Sequence, residues 1–400
     1  MTPHRVLFLG AGYAGLPAAK RFARQVHADE VAVTIVSMSD RFVERPRLHQ
    51  LATGQPLRDL RLQPFLDGTD VILRVARVTA IDLANRTVHL DGANGGGAHT
   101  EPYDTLVYAL GSTIEVDQTP GVRQHALALT APKDSARTLS QLREVAGNHG
   151  TVVVCGGGLT GIEAATEVAE SFPGARVRLV TAGQPGGWLS PAAQRYLVRT
   201  LDQLGVAVTP SAHVDEVLEG HLRLTAGESI EFDACIWTGG FAVPRLAPNA
   251  GLEVDDVGRI VTDQTLRSVS HPQVYAIGDA AAVPGPWGDS LAMGCRTGGF
   301  MAPALADVVA ARLAGREPPL FRYRYFHECI SLGRRRGLVQ FLNADESPRP
   351  FVLTGRTALA YKDVTLNSAV ALFKHPGPYL PRRRHRIRTA TTPHHPSPAA

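Results

Sequence analysis

The chain has 400 residues, of which 44% are hydrophobic and 20% charged, so it can bury more than one core and is neither a disordered chain nor a disulfide-stapled mini-fold. The net charge is +4, and residues 364–400 contain five Arg, one Lys and no acid, so the rest is slightly acidic, which argues against nucleic-acid binding. Four cysteines without a C-x-x-C pair are typical of a reducing compartment and do not indicate a metal site. We therefore expect a cytoplasmic protein.

Two stretches of the chain share one pattern, in which an apolar strand leads into a Gly-x-Gly-x-x-Gly loop, a helix and a second strand. The first covers residues 6–36, with its loop at 10–15, and the second covers residues 151–180, with its loop at 156–161. In such a loop the first glycine permits a tight turn, the second lets the backbone approach a pyrophosphate, and the third lets helix and strand pack closely. The repeat predicts two doubly wound parallel sheets, each with a dinucleotide crevice.

The remaining sequence gives coarser signals. Alternation of apolar and polar residues predicts antiparallel hairpins over 71–90 with a Gly-rich turn at 92–97. Further on, we expect helices at 301–314 and 356–374, strand structure from 321 to 341, and disorder from 376 to 400.

Four ordered motifs resemble those of the flavoproteins with two dinucleotide-binding domains, the pyridine nucleotide-disulfide oxidoreductase superfamily. They are the first loop, LVYALGS at 106–112, the second loop, and VYAIGDAA at 274–281. Within this superfamily the chain looks most like the type II NADH dehydrogenases and the apoptosis-inducing-factor-like flavoproteins. The resemblance implies an α/β fold with two Rossmann-like domains, for FAD and NAD(P)H, and a small α+β C-terminal region. The implied segments are an FAD domain at 1–113 and 241–318, an NAD(P) domain at 114–240, the C-terminal region at 319–375 and a basic disordered tail at 376–400.

The same resemblance implies an FAD site around the first loop. Asp279 would accept hydrogen bonds from the ribitol, although a helix N-cap without a ligand is the alternative. Ser37 stands where an acid usually binds the adenosine ribose, and Gly239 lies in the return crossing between the domains. The implied contact residues are Gly10, Gly12, Tyr13, Ala14, Gly15, Ser37, Arg47, Ala109, Gly111, Gly239, Gly278 and Asp279. Arg45, Arg47 and His49 would pass near the flavin, where they either stabilise negative charge or form a solvated face.

The second loop would bind the pyrophosphate of a nicotinamide nucleotide. An acid at the end of the next strand selects NADH and a nearby Arg or Lys selects NADPH; Thr181 stands there, so neither rule applies and the resemblance alone favours NADH. Glu163 is the implied catalytic residue, orienting the carboxamide near the flavin, and the alternative is an acid placed for the helix dipole. The implied contact residues are Gly156, Gly158, Leu159, Thr160, Gly161 and Thr181.

The stretch 41–50 contains no cysteine, whereas the disulfide reductases of this superfamily carry a cysteine pair there. We therefore expect a hydride to pass from NAD(P)H to FAD, and electrons to leave directly for a quinone-like acceptor. Two alternatives stay open: a soluble reductase for a ferredoxin or a small-molecule biosynthetic step, and a regulatory nucleotide-binding flavoprotein of the apoptosis-inducing-factor kind.

The last predicted helix carries Leu359, Leu366, Val370 and Phe373 on one face, and an Arg-rich stretch follows it. Such a helix can bind the anionic inner face of a membrane, or it can pack on the core or on a second subunit. Peripheral attachment and a homodimer are both left open by the sequence.

Overall fold

The computed structural model of the protein describes residues 2–92, 97–374 and 385–387. Up to the first chain crossing, its elements are β1 (His4–Leu9), α1 (Gly15–Ala23), β2 (Val31–Ser37), β3 (Arg41–Phe42), a 3-10 turn (Arg45–Arg47), α2 (Leu48–Ala52), β4 (Leu60–Arg61), α3 (Gln63–Leu66), β5 (Ile72–Asp82), β6 (Thr87–Gly92), β7 (Ala98–Pro102), β8 (Thr105–Tyr108) and β9 (Thr113–Ile114). Up to the return crossing, they are α4 (Val122–His125), β10 (Leu127–Ala128), α5 (Pro132–Gly147), β11 (Thr151–Cys155), α6 (Leu159–Ser171), β12 (Arg176–Val180), α7 (Pro191–Gln203), β13 (Ala207–Thr209), β14 (Val214–Leu218), β15 (His221–Leu224), β16 (Ser229–Glu231) and β17 (Ala234–Trp237). The last are β18 (Phe241–Ala242), α8 (Leu246–Asn249), β19 (Ile260–Val261), β20 (Val274–Ala276), a 3-10 turn (Gly278–Ala280), β21 (Ala281–Ala282), α9 (Cys295–Leu313), β22 (His327–Leu332), β23 (Arg336–Leu342), β24 (Pro348–Thr354) and α10 (Gly355–Lys374).

Two large sheets form the frame of the molecule, and each has its own buried core. The first has the strand order β20-β8-β1-β2-β5-β6-β7, parallel from β20 to β5 and continued by antiparallel hairpins. The second has the order β10-β17-β11-β12-β13 and is parallel throughout. The predicted α/β fold with two doubly wound sheets is therefore confirmed, and so are the hairpins after residue 71; residues 93–96 of the predicted turn lie outside the described residues.

The chain passes from the first sheet to the second and back again at one place. There β9 pairs antiparallel with β18, so that Ile114 lies opposite Phe241. The predicted domain boundaries at 113 and 240 fall beside this short ladder. Each glycine loop follows a central strand of its sheet, β1 or β11, and opens a helix, which is the position of a ligand crevice in a doubly wound fold.

The C-terminal region is an antiparallel sheet, β22-β23-β24, followed by α10. Its apolar side chains, including Ile330, Leu332 and Leu338, join the core of the second sheet. The prediction of strands over the whole of 321–341 is partly wrong. Residues 321–326 alternate between buried and exposed side chains as expected, but they pair with no strand, and the ladder begins only at His327.

Helix α10 occupies the predicted residues, and its apolar face packs inside the protein, while attachment to a membrane stays a prediction. Leu366, Val370 and Phe373 are buried, and the ring of Phe373 packs edge-on against Phe42 at 4.7 Å and Phe65 at 5.8 Å between centroids. The alternative, packing on the core, is confirmed. Among the described residues, no helix has both the length and the apolar character needed to cross a membrane.

Three residues of the predicted disordered tail contact the connection between α1 and β2. The backbone N–H of His385 donates to the carbonyl of Gln25 at 2.7 Å, and that of Ile387 donates to Glu30 Oε2 at 2.7 Å. Arg386 adds an ion pair with Glu30 at 3.0 Å. For these residues the prediction of disorder is wrong; the rest of the tail lies outside the described residues. Helix α9 also differs from the prediction, because it begins at Cys295 rather than at Met301.

Candidate active site

The first glycine loop is packed so that only its middle glycine faces open space. A Cβ on Gly10, whose φ is +103°, would overlap the carbonyl of Ala109, and a Cβ on Gly15 would overlap the carbonyl of Gly10. A Cβ on Gly12 would meet no atom within 4 Å. Bare backbone at the start of α1 therefore faces the crevice, which suits a pyrophosphate that needs N–H donors and close approach.

The second loop repeats this construction. A Cβ on Gly156 would lie 2.5 Å from Thr238 Oγ1, and a Cβ on Gly161 would overlap the carbonyl of Gly156. A Cβ on Gly158 would again meet no atom within 4 Å. Leu159 and Thr160 open helix α6 directly after it. Both crevices therefore fit the phosphates of a dinucleotide.

Asp279 lies between the first loop and the start of α9. Its Oδ1 accepts a hydrogen bond from Gly294 N at 2.7 Å, and its Oδ2 accepts one from Ser112 Oγ at 2.6 Å. Asp279 therefore holds Gly294, the residue before α9, and both the helix cap and the ribitol contact stay predictions. Gly278, the residue before Asp279, packs closely against Ala14 of the first loop, since a Cβ on Gly278 would lie 3.2 Å from Ala14 Cβ.

Tyr13 belongs to the first loop, and its side chain points into the protein. The ring packs edge-on against Phe42 at 4.9 Å between centroids, and the hydroxyl is buried without a hydrogen-bond partner among the described residues. Burial raises the pKa of the Tyr13 phenol well above its ordinary value. A buried donor without a partner is costly in a finished structure, so this hydroxyl is consistent with a bound polar group at the loop.

The other implied FAD residues lie at strand ends and crossings. Ser37 ends β2, and its Oγ accepts a hydrogen bond from Ser39 N at 3.4 Å. Gly111 has a φ of +68°, and a Cβ placed on it would meet no atom within 4 Å, so the space beside this residue is open. Gly239 lies under the indole of Trp237, which donates to the carbonyls of Glu115 and Gly239 at 2.8 and 3.1 Å. Their contacts with a cofactor stay predictions.

The predicted cations near the flavin are held by the protein. Arg45 donates to the carbonyl of Ser112, and Arg47 pairs with Asp363 of α10 at 3.0 Å and with Glu44 at 3.5 Å. The side chain of Arg47 is 14% exposed. The alternative of a solvated face is therefore wrong for Arg47, and a direct contact of this residue with a cofactor stays a prediction.

Glu163 is the centre of a buried polar network that sequence reasoning only partly predicted. Its Oε1 pairs with the Lys362 ammonium and accepts hydrogen bonds from Ser331 N at 2.9 Å and Ser331 Oγ at 3.1 Å. Ser331 Oγ also lies 3.2 Å from His49 Nε2 and 3.1 Å from Lys362 Nζ. All four residues are buried. Helix α6 supplies the acid, α10 the lysine, β22 the serine and α2 the histidine.

The charges in this network shift its pKa values. Burial by itself raises the pKa of the Glu163 carboxyl, but Lys362 and His49 outweigh it, and the pKa falls below its ordinary value. Burial lowers the pKa of His49, although Glu163 opposes this. Glu163 is therefore ionised and His49 neutral at pH 7. The alternative of an acid placed only for the helix dipole does not account for this buried pair.

Sequence reasoning missed Lys362 and Ser331, although one signal was available. Lys362 stands four residues before Leu366 and eight before Val370, so it lies on the buried stripe of α10. A lysine on an otherwise apolar stripe predicts a buried partner of opposite charge. No comparable local signal marks Ser331.

The four cysteines are all unpaired. Cys155 is buried, and its Sγ lies 3.9 Å from that of Cys235 on the neighbouring strand. The hydrogen bond with Cys235 raises the pKa of the Cys155 thiol, and burial raises the pKa of the Cys329 thiol to about 12. Thiols with raised pKa values are poor nucleophiles at neutral pH.

Three comparisons with known proteins agree with this geometry. The pyridine nucleotide-disulphide oxidoreductase family matches residues 4–299. Demethylphylloquinone reductase NdbB of Synechocystis is 25% identical over 371 residues, which cover 90% of this chain and 92% of that protein. Type II NADH:quinone oxidoreductase Ndh of Mycobacterium tuberculosis is 28% identical over 357 residues, covering 79% of this chain and 74% of that one. The structure of NDH2 from Plasmodium falciparum in complex with NADH superposes with a TM-score of 0.79 at 14% identity, covering 95% of this chain and 99% of that chain.

Proposed function

Because the chain belongs to the pyridine nucleotide-disulphide oxidoreductase family, we propose that it is an FAD-dependent NAD(P)H dehydrogenase that reduces a quinone. The observation that carries the proposal is the pair of glycine loops, in which Gly12 and Gly158 leave open the space that a pyrophosphate needs. The names of the relatives support the acceptor, since both act on quinones. The chemistry that a bound FAD supplies is the acceptance of a hydride and the release of its electron pair.

The chain's own residues hold the two nucleotides and the charges between them. The loop backbones bind the phosphates, while Asp279 fixes the start of α9 beside the first loop. Glu163 is proposed to orient the carboxamide of the nicotinamide. Its Oε1 is fully engaged, but its Oε2 lies 3.7 Å from His49 Nδ1, which is longer than a hydrogen bond, and the described residues give it no shorter contact. This oxygen can therefore accept a bond from an amide N–H.

The same network can hold the protons that quinone reduction consumes. A quinone takes up two electrons and two protons on its way to the quinol. The ionised Glu163 accepts hydrogen bonds, so the proton-bearing groups of the network are the Lys362 ammonium, the Ser331 hydroxyl and the ring N–H of the neutral His49. Since none of the four cysteines forms a disulfide and the pKa values of Cys155 and Cys329 are raised, we propose that electrons reach the acceptor without a protein thiol.

An anaerobic titration tests this function. Purified protein reconstituted with FAD is mixed with NADH or NADPH while the absorbance of oxidised flavin is followed, and a soluble quinone is then added. Fast bleaching followed by fast recovery with quinone is the expected result. Recovery only with a ferredoxin would support the reductase alternative, and tight nucleotide binding with negligible turnover would support the regulatory one. Protein that binds no FAD would overturn the proposal.

We propose no membrane contact through the apolar face of α10, because Leu366, Val370 and Phe373 are buried in the protein. Attachment through the Arg-rich stretch after residue 374 stays a prediction. The homodimer stays a prediction, which sedimentation of the purified holoprotein can test.

A further inference from the structure

The adenosine ribose of a nucleotide would lie at one corner of the second crevice. This corner is built from uncharged residues. In a doubly wound fold this corner is formed by the residue at the end of the second strand of the unit and by the residues after it. Here β12 ends at Val180, and Thr181 follows. Whether the ribose carries a 2′-hydroxyl, as in NADH, or a 2′-phosphate, as in NADPH, is sensed at this place.

Thr181 is fixed in the protein instead of reaching toward a ligand. It is 5% exposed, its N–H donates to the carbonyl of Thr209 at 3.1 Å, and its carbonyl accepts from Ala212 N at 2.9 Å. Its side chain packs on the second loop, because a Cβ on Gly157 would overlap the Thr181 hydroxyl. The side chain is therefore used for packing strand against loop, where other members of the fold place a free carboxylate.

The residues that do face solvent at this corner are neutral as well. Ala182, Gly183 and Gln184 are exposed, and the carbonyl of Gly183 accepts from Ser211 N at 3.3 Å, which brings the end of the next strand alongside. Residues 181–188 and 209–212 contain no Asp, Glu, Lys or Arg. The corner therefore offers neither a charge that repels a 2′-phosphate nor a charge that attracts one.

We propose that the crevice at the second glycine loop binds NADH and NADPH with similar affinity. This inference rests on the proposed function. A carboxylate at the corner would bind the ribose diol and repel the phosphate, and a guanidinium would pair with the phosphate. Without either, the 2′-phosphate stays hydrated at an exposed corner, and its presence changes the binding free energy little. The preference for NADH that the family resemblance gave is replaced by this prediction of dual use.

The test measures the dissociation constants of NAD⁺ and NADP⁺ for the FAD-loaded protein by calorimetry. The wild-type constants should agree within about tenfold. Ala182 is the position for variants because it is exposed. Ala182→Arg should tighten NADP⁺ by about tenfold or more with little change for NAD⁺, and Ala182→Glu should weaken NADP⁺ by a similar factor. Ala182→Gln is the neutral control and should match the wild type. Raising the ionic strength should shrink the preference of the Arg variant and leave the wild-type ratio unchanged.

A failure of this inference can be distinguished from a failure of the proposed function. A wild-type preference above about tenfold in either direction overturns dual use while leaving the dehydrogenase proposal intact. Equal responses of the Arg and Glu variants would show that the 2′-group lies elsewhere, which also overturns the inference. Failure of both nucleotides to bind would overturn the proposed function together with this inference.

Discussion

The two glycine loops share one backbone construction but are closed in by different kinds of neighbour. Around the first loop the contacts are backbone and small side chains, such as Ala14 against Gly278, and they come from the same sheet. Beside the second loop, Glu163 is held by charged and polar side chains from α2, β22 and α10. The first crevice is therefore closed by residues at the strand ends of its own sheet, whereas the second also depends on side chains from α2 and from the C-terminal region.

The largest expected effect tests the first crevice. Gly15→Ala places a methyl group on the carbonyl of Gly10, so the loop must move and the phosphate cradle is lost. The purified variant should lose nearly all of its flavin absorbance relative to protein absorbance. Gly147→Ala is the control, because a Cβ there meets no atom within 4 Å. A yellow Gly15→Ala protein with full flavin content would contradict the assigned role of the loop.

A second change tests the dependence of the other crevice on α10. Lys362→Met leaves the Glu163 carboxylate buried without its cation, and removing one partner of a buried pair costs about 3–5 kcal/mol. The free energy of unfolding, measured with urea, should fall by this amount, and the double variant with Glu163→Gln should recover part of it. Lys374→Met, at an exposed position of the same helix, is the matched control. A loss no larger than that of the control would show that α10 does not support this site.

A smaller effect is expected from a polar contact at the first crevice. Ser112→Ala removes the hydroxyl that donates to Asp279, a bond to a charged group worth about 1.5–3 kcal/mol. Because Asp279 keeps its bond from Gly294 and the loop packing is unchanged, flavin content should stay close to that of the wild type. Urea unfolding and flavin absorbance check both statements, with Ser140→Ala, at an exposed position of α5, as the control. Loss of flavin without loss of stability would mean that the hydroxyl itself contacts the cofactor.

The smallest effect concerns pH. The pKa of His49 lies below its ordinary value of 6.5 in the folded protein. As the pH falls, His49 is therefore protonated at a higher pH in the unfolded chain than in the folded protein. Stability is therefore greatest above pH 6.5 and declines below it by at most about 1.4 kcal/mol per pH unit for this group. Glu163, whose pKa is lowered from 4.5, adds a further loss in more acidic solution. Urea unfolding at pH 7.5 and about 5.5 should show a smaller difference for His49→Asn than for the wild type, and an equal difference would contradict the assignment.

The same contrast explains what could be predicted from the sequence. Both glycine loops, the strands beside them and the parallel sheets follow from patterns within about thirty residues, as local periodicity and turn chemistry require. The network around Glu163 joins residues 49, 163, 331 and 362, and no local pattern encodes such an encounter. The apolar face of α10 was recognised, but periodicity alone could not say whether Phe373 meets a bilayer or the ring of Phe42.

The late position of Lys362 has a consequence for how the molecule is completed during synthesis. Helix α6 can form and pack on β11 and β12 long before residue 362 leaves the ribosome, and during that interval the Glu163 carboxylate has no cation to neutralise it. Water must solvate it until α10 arrives. The docking of α10 therefore both excludes this water and supplies the missing charge, so the polar network around Glu163 is completed only after residue 362 has been synthesised.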